Sequence, residues 1–66
     1  MVPKTQVLFG AVAQAVEREA LPATSQTTAR VLGSLKRLVQ AAGWDPTEAL
    51  MTFSADTQQV FVKAFG

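Results

Sequence analysis

The chain has 66 residues, six basic and five acidic for a net charge of +1, with 48% hydrophobic and 17% charged side chains and neither Cys nor His. A chain this short buries only about 60% of the surface its unfolded form exposes, and small folds usually lean on disulfides, a metal or a partner. Without Cys or His, disulfides and Cys- or His-based metal and haem sites are excluded, which leaves a partner.

Pro3 suits a first helical turn, where its missing N–H is no loss. From Lys4 to about Ala20, the residues Leu8, Ala11, Val12, Ala15 and Val16 recur at three- and four-residue steps, which predicts a helix over 4–20 with one apolar stripe. Gly10 weakens an exposed helix by about 1 kcal/mol relative to Ala, so its presence predicts close approach of a neighbouring helix. Leu21-Pro22 ends the element, because the residue before Pro is pushed away from the helical region.

Thr24 or Ser25 caps a second helix over 25–42. Its stripe, Thr28, Val31, Leu32, Leu35, Leu38, Val39 and Ala42, is the cleanest in the chain. Arg37 is expected to complement the dipole near the C-terminal end, and Gly43 to stop the helix in a left-handed conformation. Asp45-Pro46-Thr47-Glu48 reads as a cap, a first helical position and a capping box, opening a short helix over 46–53 with Ala49, Leu50 and Phe53 on it. Ser54 caps a last helix over 55–65, with Asp56 in its first turn and Val60, Phe61, Ala64 and Phe65 on its apolar side. No alternation at period two is long enough for a strand. The expectation is all-α: three to four short antiparallel helices in a single module, 1–66.

Catalysis fails on inventory. Without His, Cys or Tyr, general acid–base work would fall on five carboxylates and two lysines. Glu17 and Glu19 stand two apart on a helix and point to different faces, Asp45 and Glu48 are explained as a cap, and the serines have no base to activate them. No Gly-rich phosphate loop or calcium-type carboxylate spacing is present. The chain therefore reads as non-enzymatic, with no cofactor and no metal. Arg30, Lys36 and Arg37 are too few for a nucleic-acid site and lack aromatic interleaving or a second basic helix. The longest uncharged run, Thr5 to Val16, is short of the roughly 20 residues of a membrane span. Lys4 ahead of an apolar stretch resembles a secretory signal only in outline, since the stretch reads as an amphipathic helix. A soluble protein in a reducing compartment is expected.

The apolar excess is the informative feature. Helix one carries Val7, Leu8, Phe9, Ala11, Val12, Ala13, Ala15 and Val16 on more than one side, and such a helix expects to be covered on several sides. Three short neighbours cannot wrap it, so a partner surface is expected. The candidate partner-binding residues are Leu8, Phe9 and Val12 on helix one, Arg30 and Arg37 on helix two, and Trp44. Trp44 is either an aromatic anchor or, by preference, a residue packing from the turn onto helices two and three. Phe9, Phe53, Phe61 and Phe65 at helical spacing read as core.

One family pattern covers nearly the whole chain. Leu8-Phe9-Gly10-Ala11-Val12-Ala13-Gln14-Ala15, a loop, Ala29-Arg30-Val31-Leu32-Gly33-Ser34-Leu35-Lys36-Arg37-Leu38-Val39, Gly43-Trp44, and Gln59-Val60-Phe61-Val62-Lys63-Ala64-Phe65-Gly66 together resemble the C-terminal end of importin-β-type karyopherins, with the transportin branch nearest in pattern. That end consists of an apolar helix, a long helix of "ILxxLK" type, a short Trp-containing helix and a last short helix ending in an aromatic and Gly. This chain has Phe53-Ser54 where family members often carry Pro, and its Trp precedes Asp45-Pro46. The resemblance implies a HEAT-like helical hairpin plus terminal short helices, acting as the capping repeat of a nuclear transport receptor. It further implies a role in nuclear import of protein cargo, in cytoplasm and nucleus, with a neighbouring repeat, cargo or a second copy as partner. It marks no cargo-binding residue here. The alternative is an autonomous helical adaptor or dimerisation domain that binds a partner helix through its apolar face.

Overall fold

A computed structural model describes residues 4–66, so the role expected of Pro3 lies outside the described residues. The described chain forms four helices and no strand: α1 (Lys4–Glu17), α2 (Gln26–Ala42), α3 (Thr47–Leu50) and α4 (Ala55–Phe65). The all-α expectation is met.

Two helix ends use the same backbone device with different residues. At the end of α2, Gly43 takes φ 65°. Its N–H reaches the carbonyl of Gln40 while the Trp44 N–H reaches that of Val39. These paired bonds form the Schellman arrangement that satisfies orphan carbonyls. At the end of α1 the same pair recurs, Glu19 N–H to Val16 and Ala20 N–H to Ala15, with Glu19 at φ 61°. The first helix was expected to run to Ala20 and be stopped by Pro22. It stops at Glu17 because the chain has already turned left-handed at Glu19. Arg37, expected to complement the dipole near the C-terminal end, stands five residues before the end of α2, and the last turn itself holds no basic residue.

Both long helices that begin inside the chain start alike. Ser25 caps α2 by accepting a hydrogen bond from the Thr28 N–H at 3.0 Å, and Ser54 caps α4 by accepting one from the Thr57 N–H at 3.3 Å. In each case the threonine three residues on is buried and its hydroxyl meets the capping serine hydroxyl, at 2.7 Å and 3.2 Å. The two buried polar residues of the described chain are thus satisfied by the caps beside them, as buried hydroxyls must be. The third helix was expected over 46–53. It closes after one turn at Leu50, and the Thr52 hydroxyl donates to the Ala49 carbonyl at 2.8 Å. Asp45 was expected as the cap of a capping box with Glu48. Instead Pro46 takes the N-cap position with no side-chain cap bond, and Asp45, one residue earlier, accepts at Oδ1 from the Thr47 N–H at 3.0 Å and from the Thr47 hydroxyl.

Contacts fix the helix directions. Glu17 at the end of α1 meets Ser54 and Thr57 at the start of α4, and Phe9 near the start of α1 meets Phe65 at the end of α4. Trp44, just past α2, also packs on Phe9. Therefore α1 runs antiparallel to α2 and α4, which run parallel to each other, and the segment containing α3 carries the chain back along the bundle.

The core is Phe9, Val12, Ala13 and Val16 from α1, Leu32, Leu35 and Val39 from α2, and Phe61 from α4, closed by half-buried Leu50, Phe53, Val60 and Phe65. The stripe expected on α1 was Leu8, Ala11, Val12, Ala15 and Val16. Instead the helix is turned by about one residue, so that Phe9 and Ala13 face inward while Leu8 and Ala11 face out. The reason is the aromatic cluster: Phe9 sits 5.0 Å from Phe61, 5.1 Å from Trp44 and 6.3 Å from Phe65 between ring centroids. Burying the largest ring in tilted and edge-on contact outweighs burying a leucine. The same rotation overturns the expectation for Gly10. A Cβ placed there would meet nothing within 4 Å, so no helix approaches it.

Candidate functional site

Concavities among the described residues include three that could receive a ligand or partner. The first, about 430 Å³, lies between the C-terminal end of α1 and the N-terminal end of α4, and Glu17, Glu19 and Asp56 line it with Leu21, Pro22 and Val60. Its carboxylates are not free chemistry. Glu17 Oε2 accepts from the Ser54 N–H at 3.4 Å, from the Ser54 hydroxyl at 3.0 Å and from the Thr57 hydroxyl. These bonds, that of Thr57 first, hold the Glu17 carboxyl below the usual carboxylate range against the opposing effect of partial desolvation. Asp45 is lowered for the same reason by the Thr47 hydroxyl and then its N–H. In both, hydrogen bonds to the charged form favour it. Among the described residues no three His, Cys, Asp or Glu side chains come together as a metal-holding group.

The second concavity, about 420 Å³ between α2 and α4, mixes Ala23, Ala29 and Ala64 with Asp56, Gln59 and Lys63. Leu32 and Val60 also line it, so its surface is mainly apolar, with one charge of each sign at Asp56 and Lys63.

The third is apolar with no acidic side chain in its lining. It runs along the α1–α2 seam with a volume of about 260 Å³, walled by Leu8 and Val12 from α1 and by Val31, Leu35 and Leu38 from α2, with Ser34 and Arg30 at its edge. Val12 and Leu35 are its buried floor, while Leu8 is 43% and Leu38 45% exposed on its two rims. The antiparallel pairing of α1 and α2 brings the start of one against the end of the other, which is why Leu8 and Leu38 share a groove. At this size it suits one or two inserted side chains, below the roughly 300–1,000 Å³ of small-molecule sites.

The sequence-derived partner residues separate into two groups. Leu8, Val12 and Arg30 come together in this groove. Phe9 has no exposed surface and belongs to the core, which corrects its assignment to a partner surface. Trp44 is half-buried against the core and edge-on to Phe9 at an interplanar angle of 84°, so it packs on α1, a contact beyond those expected with helices two and three. Arg37 is exposed on α2 but outside the groove. Val31 and Leu38 belong to the stripe expected on helix two; Val31 packs against the core and also walls the groove, while Leu38 stands on its rim.

No protein-family model matches this chain, and no curated protein or solved structure matches it. No described helix is long and apolar enough to cross a membrane.

Proposed function

We propose that this chain is a non-enzymatic protein-interaction module whose α1–α2 groove accepts a partner helix. The observation that carries the reading is the pair Leu8 and Leu38, facing solvent across a floor of buried Val12 and Leu35. Two antiparallel helices with leucine ridges on either side of a seam form the groove into which the ridge of another helix packs. The Cα radius of gyration, 10.9 Å, equals that of a compact domain of this length, about 10.8 Å. A core closed by its own four helices supports the adaptor reading over a repeat that needs its neighbour to fold.

The second reading is the capping repeat of a nuclear transport receptor, for protein cargo import. The exposed apolar residues Val7, Leu8 and Leu38 favour it to this extent: a preceding repeat would cover the same hairpin.

The test is a nuclear magnetic resonance titration of the whole chain with an amphipathic helical peptide of about 14 residues, leucines at i, i+3, i+4 and i+7 spacing and glutamine elsewhere. Shifts confined to Leu8, Val31 and Leu38, absent in Leu38→Glu, are the expected result. Shifts scattered over the surface, or none up to millimolar peptide, would overturn the proposal. Helicity that appears only on self-association, read by circular dichroism and sedimentation across a concentration series, would move the reading to the capping repeat.

A further inference from the structure

Charge around the groove is one-sided, and this deepens the docking reading on which it rests. Arg30 lies at the groove edge, and no acidic side chain lines it. The whole of α2 carries Arg30, Lys36 and Arg37 and no Asp or Glu. On α1, Lys4 stands four residues before Leu8, on the same face of the helix. The one acid of α1, Glu17, is turned away and bound to Ser54 and Thr57 of α4. The remaining acids, Glu19, Asp45, Glu48 and Asp56, lie on the loops, α3 and α4. An apolar seam therefore runs between Lys4 at one end and Arg30 towards the other, with nothing negative between them.

We infer that the occupant of the α1–α2 groove is an amphipathic helix whose apolar stripe is flanked by Asp or Glu. Its leucine-type side chains enter between Leu8 and Leu38, and its carboxylates lie over Arg30 and Lys4. A helix flanked by Lys or Arg would bring like charges onto the same rim and is rejected there, since rim charges act mainly on partner choice and on-rate. Two exposed pairs set a preference of about twofold to thirtyfold at low salt.

The experiment compares three peptides of the same leucine spacing, flanked by Glu, Gln or Lys, titrated into the full chain and read at Leu8, Val31 and Leu38. The expected result is binding in the order Glu, Gln, Lys, with the spread collapsing at about 0.5 M salt, where the Debye length is only a few ångströms. Arg30→Glu, a change at an exposed position, is expected to erase the order, because Lys4 at one end is then offset by a carboxylate towards the other. Equal binding of all three, or tighter binding of the Lys peptide, overturns the acidic-flank inference while the docking reading stands. Failure of all three at the groove removes the docking reading and this inference with it. A concentration-dependent dimer that Leu38→Glu abolishes names a second copy as the occupant and also overturns it.

Discussion

Glu17 and Thr57 are forty residues apart in sequence and share a hydrogen bond in which the threonine hydroxyl donates to the carboxylate. The same carboxylate oxygen takes the Ser54 N–H. In a capping box that N–H is bonded by the side chain three residues into the helix. Here the position is Thr57, too short to do it, and α1 supplies the acceptor instead. A negative charge at the start of α4 also suits its dipole. The bond thus fixes the antiparallel register of α1 on α4.

This tie sets a pH dependence. The folded Glu17 and Asp45 carboxyls are both held low by hydrogen bonds, so their stabilisation is complete above the unfolded values of about 4.3 and 3.9. It is lost as pH falls through the lower folded values. The charged neighbours lining the Glu17 cleft, Glu19 and Asp56, are themselves acids and do not reverse that sign. Glu17→Gln should lower the melting temperature at neutral pH and flatten the acid limb, converging with the parent chain once pH falls below the lowered folded value. Thermal melts followed by circular dichroism at a series of pH values check this. A variant that stays parallel to the parent down to acid pH would show that the tie contributes nothing.

The two serine caps make a matched pair. Ser25→Ala and Ser54→Ala should each destabilise by about 1 kcal/mol, the usual range for a lost cap. Ser54→Ala also removes a donor to Glu17, so combined with Glu17→Gln its effect should be less than additive. Ser25→Ala with Glu17→Gln should add. Urea unfolding of the two double mutants separates the cases, and additivity in both would mean Ser54 and Glu17 act independently.

Phe9 is the centre of the aromatic cluster, and Phe-to-Ala changes in a core remove about 3–5 kcal/mol. A chain of this length has a total stability of about 3–10 kcal/mol. Phe9→Ala should therefore remove about half or more of the stability and lower the melting temperature steeply, read by circular dichroism and by the emission of Trp44, the chain's one tryptophan. Phe9→Leu should stay folded but weaker. Native-like emission and melting in Phe9→Ala would place the core elsewhere.

Much of this fold was legible. Ser25, Gly43, Ser54 and Asp45 mark their helix ends through local chemistry, bonds made within a few residues, and such signals survive in sequence. The rotation of α1 was not legible, because apolar residues nearly all round that helix give two candidate stripes of similar weight. What decided between them is Phe9 meeting Trp44, Phe61 and Phe65, contacts that exist only after the chain folds back. The role of Glu17 was hidden for the same reason. The groove was half legible: Leu8, Val12 and Arg30 were marked, while Leu38 was absorbed into a core stripe broader than its neighbours could bury.

The two Schellman ends offer the sharpest comparison. Gly43 and Glu19 occupy equivalent left-handed positions, φ 65° and 61°, but only Gly adopts that region without steric penalty. For an L-residue with a Cβ the left-handed conformation is worse by roughly 1–2 kcal/mol. Glu19→Gly should therefore stabilise the chain, by about 1 kcal/mol once the greater freedom of glycine in the unfolded state is offset. Gly43→Ala should destabilise it by a similar amount: a Cβ there meets nothing within 4 Å, so the loss is purely backbone. Glu19→Ala serves as the control, removing the carboxylate while keeping the Cβ. If urea midpoints rise equally for Glu19→Ala and Glu19→Gly, relief of repulsion with Glu17 and Asp56 accounts for the gain. If only Glu19→Gly gains, the left-handed turn that ends α1 early is the source.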